Sequence, residues 1–87
     1  MSRSKGDWSA TATDSIIVAA DEYVGEVRIQ VLSGGPIYLG FGEAAVAGKG
    51  LFVVQGGSYM VDDYRANLAI HAICGVGVTA TGGYQTA

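Results

Sequence analysis

Several things on which small proteins often depend are scarce in this sequence. Among 87 residues there is one cysteine, one proline and one histidine. A lone thiol, Cys74, forms no internal disulfide, so the fold is expected to stand without the cross-links of small secreted domains and to form in a reducing cytoplasm. One Cys and one His also leave zinc without a ligand set, because such a site takes several of them at defined spacing. Charge is thin as well: Asp, Glu, Lys and Arg make up 15 % of the chain against 49 % apolar residues. That balance is too apolar for a disordered chain and predicts a packed core. Eight acidic against five basic residues give a net charge of -3. This is the wrong sign for holding a polyanion by counterion release, and nucleic acid is not expected as a partner. No apolar run approaches the roughly 20 residues that span a bilayer, and the first dozen residues lack the apolar centre of a signal peptide. Neither a membrane partner nor export is expected.

What the chain does have is glycine, 14 in all, set between short runs of Val, Ile, Leu, Tyr and Phe. Alternation is clearest in Glu26–Leu32, where Val27, Ile29 and Val31 fall on one face and Glu26, Arg28 and Gln30 on the other, the period of a half-buried strand. Similar runs at Ser15–Ala19, Pro36–Phe41, Leu51–Val54, Ser58–Val61, Leu68–Cys74 and Val76–Thr81 bring the expected number to about seven. Gly34-Gly35, Gly48-Lys49-Gly50, Gly56-Gly57 and Gly82-Gly83 read as the turns between them. The fold class expected is all-β: a small antiparallel β-sandwich or barrel, jelly-roll-like, occupying residues 14–87 as one domain. Residues 1–13 read as a flexible N-terminal arm carrying Arg3, Lys5 and an exposed Trp8, of a kind that docks onto a partner surface.

Four chemical motifs are suggested by the residues, and each fails on spacing or context. Gly40-Phe41-Gly42-Glu43-Ala44-Ala45 fits a dinucleotide fingerprint, but the helix it requires is broken by Gly48 and Gly50, and the chain is too short for the parallel sheet that forms the cofactor crevice. A P-loop fails on spacing and on Lys49 being followed by Gly50 rather than Ser or Thr. Nucleophilic catalysis would have to use His71, which lies mid-strand with no evident base partner. Asp62-Asp63 and Asp21-Glu22 lack calcium-loop spacing and read as turn carboxylates bonded to their own backbone. No catalytic residue, cofactor or metal is therefore expected.

Several strands are apolar on both faces, more than a two-layer domain can bury alone. Tyr38, Phe52, Met60 and Ile73 each oppose inward-facing neighbours, and His71 shares a strand with Ile73. These five are expected to form a subunit interface in a homo-oligomer.

Taken in order, VRIQV at Val27–Val31, PIYLGFGEAA at Pro36–Ala45, GKGLFV at Gly48–Val53, GGSYMVDD at Gly56–Asp63 and AIHAI at Ala69–Ile73 resemble a group of small all-β virion proteins of tailed bacteriophages. The match spans about two thirds of the chain. It departs at Val31-Leu32, where such chains often carry Asn, and at Gln55, where they often carry Pro. The resemblance implies a head decoration or cement protein, homotrimeric, located on the capsid surface, made in the host cytoplasm and partnered by the major capsid protein through the arm at Arg3, Lys5 and Trp8. The alternative is a tail- or fibre-associated adhesin module whose loops Glu43–Gly48 and Asp62–Asn67 present Tyr64 and Arg65 to a host-surface glycan or protein.

Overall fold

The alternation at Val27, Ile29 and Val31 is realised in the longest strand of a computed structural model that describes residues 5–87. Eight strands follow one another: β1 (Lys5–Ala10), β2 (Ser15–Val18), β3 (Val27–Gly34), β4 (Ile37–Phe41), β5 (Phe52–Val53), β6 (Ser58–Val61), β7 (Ile70–Ile73) and β8 (Ala80–Thr86). One 3-10 turn, Tyr64–Asn67, separates β6 from β7. The strands form two four-stranded sheets, β1-β8-β3-β6 and β2-β7-β4-β5, called here the first and second sheet.

The pairing follows a simple rule. The first strand pairs with the eighth, the second with the seventh, the third with the sixth and the fourth with the fifth, all antiparallel. The chain is thus one long hairpin, turned back between β4 and β5 and rolled so that successive strand pairs fall alternately in the two layers. Closing ladders between β3 and β8 and between β4 and β7 complete the sheets. This is the jelly-roll arrangement of a β-sandwich. Its core lies between the two inner faces: Val27, Ile29, Val31 and Val61 from one sheet meet Ile37, Leu39, Ile70 and Ala72 from the other, each at most 5 % exposed.

Two sequence expectations are overturned together. Of the arm expected at residues 1–13, Lys5–Ala10 is instead β1, in register with β8 from Lys5↔Gln85 to Ala10↔Ala80. Trp8 is buried at 6 % exposure, not displayed. Gly82 and Gly83, read as a turn, instead lie mid-strand in β8. The physical reason is shared. Trp8 stands directly across from Gly82, and a Cβ on Gly82 would lie 2.5 Å from the indole Cζ2 and collide with the Gln30 carbonyl oxygen. The indole N–H donates to the Gly83 carbonyl at 3.0 Å. One strand pair further, the Tyr84 ring covers Gly6 in the same way, with a Cβ there reaching 2.9 Å from the ring. Each aromatic ring fills the space that its cross-strand glycine leaves. The predicted last strand, Val76–Thr81, accordingly begins only at Ala80, and Val76 sits fully exposed in a turn closed by the Val78 N–H donating to the Gly75 carbonyl.

Gly40 to Gly50 carries no helix. Gly42, Gly48 and Gly50 have φ of 73, 81 and 79° and serve turns, whereas Gly40, expected to turn the chain out of the sheet, lies within β4.

Candidate functional site

Strand register decides which of the expected interface residues meet. Tyr38 of β4 lies between Ile73 of β7 and Phe52 of β5. All three point away from the core, because their strand neighbours Ile37, Leu39, Ala72 and Val53 are the buried ones. The next row across the same face is Ile16, His71 and Gly40. Phe52 and Ile16 are 61 % and 58 % exposed, and the Tyr38 and Phe52 rings lie 6.1 Å apart at 50°. The outer face of the second sheet therefore carries an apolar row of Phe52, Tyr38 and Ile73, with Ile16 and His71 in the row beside it.

Met60 does not join them. It pairs with Arg28, which pairs with Gln85, which pairs with Lys5, so it lies on the outer face of the first sheet in a largely polar row. Alternation tells an outward residue from an inward one, but a sandwich has two outer faces. Of the three arm residues, Lys5 is exposed on this polar face, Trp8 is in the core and Arg3 lies outside the described residues.

One end of the apolar face is roofed. A Cβ on Gly40 would lie 2.6 Å from the Glu43 carbonyl oxygen and 3.0 Å from the Ala45 nitrogen, so the loop after β4 folds back onto the sheet through a gap only glycine leaves. Asp14 pins it there. One carboxylate oxygen accepts the Ala45 N–H at 2.7 Å and the other lies 3.0 Å from His71 Nδ1. The Ala45 bond first, and the His71 bond second, hold the Asp14 carboxyl below its ordinary range. His71 therefore has a carboxylate partner 57 residues away, which no local pattern announces.

The pair resembles half of a catalytic triad. Ser15, which follows Asp14, pairs with Ala72 and faces the core, its oxygen buried. Cys74 is buried too, and desolvation pushes its thiol up, away from the reactive thiolate. Asp14 and His71 act as a clamp that fixes the Glu43–Ala47 loop. Among the described residues no group of three or more His, Cys, Asp or Glu is placed to hold a metal ion, and no helix is long and apolar enough to cross a membrane.

The two acidic turns behave as turn residues. Asp21 accepts the Tyr23 N–H and Asp63 accepts the Arg65 N–H, both at 2.9 Å. At Asp63 this bond also caps the 3-10 turn, and the Arg65 side chain returns to it, Nε donating to both carboxylate oxygens at 3.0 and 3.2 Å. Arg65 Nη2 donates to the Tyr59 hydroxyl at 3.2 Å, and the guanidinium lies 4.8 Å from the centroid of Phe41. These contacts lower the Asp63 carboxyl below its usual range and raise the already high value of Arg65. Arg65 thereby covers the Phe41–Tyr59 ring pair, whose centroids are 6.4 Å apart.

No protein-family model matches the chain, and no curated protein or solved structure matches it.

Proposed function

We propose that this chain is a non-enzymatic virion structural protein of a tailed bacteriophage, a decoration protein that self-associates on the outside of the head and stabilises the shell. The observation that carries the reading is the apolar outer face of the second sheet. A solvated antiparallel sheet needs only one apolar face; here Ile16, Tyr38, Phe52 and Ile73 make the outer one apolar as well, which favours burial against another copy. The resemblance of the ordered motifs to small phage head proteins supplies the setting, the major capsid protein as partner and three as the number of copies. The first sheet, whose outer face carries Lys5, Arg28, Gln30 and Gln85, is then left to meet the shell through polar contacts.

Light scattering on the purified protein tests self-association, and co-sedimentation with empty capsid shells tests the partner. The expected result is an oligomer that co-sediments, with Phe52→Asp and Tyr38→Asp each giving a folded monomer. A protein that remains monomeric at high concentration and stays in the supernatant overturns the proposal.

A further inference from the structure

Beside the apolar face lies an open cleft of about 320 Å³. Its walls come from the end of β4 with the following loop, and from the 3-10 turn, so two loops far apart in sequence converge on it. We propose that this cleft is a binding site for a neutral hexopyranose unit of a glycan.

The argument runs from the side chains. Tyr64 stands on the rim at 75 % exposure, an aromatic plane on a short turn whose N-terminal cap is fixed by Asp63. A pyranose ring presents one face of C–H groups, which packs on such a plane while its hydroxyls seek polar partners at the edge. Arg65 supplies the donors. Asp63, Tyr59 and Phe41 hold its guanidinium in place, and the remaining N–H groups of its fork are pre-organised for ligand hydroxyls. Glu43 on the opposite wall supplies an acceptor. The volume falls at the lower end of small-molecule sites, about 300–1,000 Å³, suited to one sugar unit rather than a long chain.

Charge selects among sugars. The cation of Arg65 is already matched by Asp63, so Glu43 leaves the cleft with a negative balance that disfavours a uronic or sialic acid.

Saturation-transfer NMR on the intact protein with methyl glucopyranoside, methyl galactopyranoside and methyl mannopyranoside at millimolar concentration, with N-acetylneuraminic acid alongside, tests the site. The expected result is transfer to C–H protons of at least one neutral glycoside, amide shifts confined to the cleft residues such as Phe41, Glu43, Gly50, Tyr64 and Arg65, and no transfer to the acid. Tyr64→Ala should abolish the signal and Tyr64→Phe should keep it; since Tyr64 is exposed, unchanged amide spectra elsewhere will show that both variants are folded. Absence of transfer from all three glycosides, binding of the acid alone, or an unchanged signal in Tyr64→Ala overturns the proposal.

Discussion

Replacing Gly82 by alanine adds one methyl group at the most crowded point of the first sheet. That methyl would sit 2.5 and 2.8 Å from Cζ2 and Cε2 of Trp8 and collide with the Gln30 carbonyl oxygen. The indole must move, and the β3–β8 ladder at Gln30 must shift as well, since moving the ring leaves the carbonyl clash in place. Trp8 is 6 % exposed, and losing a buried tryptophan's packing costs about 3–5 kcal/mol. Its bond to the Gly83 carbonyl adds about 1 kcal/mol. For a domain of this size, with total stability on the order of 5–10 kcal/mol, that is a large share. At roughly 4–8 °C per kcal/mol, even the lower end of that sum, about 4 kcal/mol, lowers the midpoint of thermal unfolding by about 16–32 °C. Trp8 is the only tryptophan, so its fluorescence reports on the same site: emission should shift to the red in the variant even at low temperature. Gly48→Ala is the control. Its φ of +81° strains any side chain, but nothing lies within 4 Å, so it should cost only about 1 kcal/mol. In a Trp8→Ala background the Gly82→Ala change should cost less than in the parent, the coupling expected of residues in contact. If Gly82→Ala melts no lower than Gly48→Ala and keeps blue emission, the packing argument is wrong.

Other perturbations follow from the loops. Because the Asp14 carboxyl is held below its ordinary value of 3.8, its contribution to stability is complete above that value and is lost as pH falls through the depressed one. Asp14→Asn should therefore flatten the acid limb of a melting-temperature profile between about pH 5 and pH 2, and the Ala45 amide should exchange hydrogen faster at neutral pH. Asn67 Nδ2 donates to the carbonyls of Asp21, Glu22 and Val24 at 3.3, 3.2 and 2.6 Å, tying the β2–β3 connection to the 3-10 turn. Asn67→Ala should destabilise urea unfolding by about 1–3 kcal/mol, whereas an effect under about 0.5 kcal/mol would mean that water replaces those bonds freely. The Cys74 thiol, buried and raised by desolvation, should react with a thiol reagent only at the rate of unfolding, and rapid labelling of folded protein would contradict its placement.

How far the sequence discloses this molecule depends on the range of the contact that carries each feature. The strand at Val27–Gly34 is plain because its alternation is local. The two-sided character of Tyr38, Phe52 and Ile73 is equally local, and antiparallel register then sets the three side by side. Trp8 and Gly82 defeat local reading together: a tryptophan beside a basic segment looks displayed, and two adjacent glycines look like a turn, although each explains the other across the β1–β8 ladder. The Asp14–His71 clamp was invisible for the same reason, since it exists only once β2 pairs with β7. Met60 shows a different limit, because parity along a strand carries no information about which layer the strand joins.

The pairing of first strand with last also bears on how the molecule comes into being. β1 has one partner in the sheet, β8, so during synthesis its ladder and the seat of Trp8 do not exist until residues 80–86 have left the ribosome. Local hairpin closure at β4–β5 can begin early, but the contacts that complete the first sheet join distant positions, and such topologies fold in milliseconds to seconds rather than microseconds. A partially made chain therefore exposes an aromatic strand with unpaired backbone alongside the apolar sheet face, and commitment to other copies waits on the final strand.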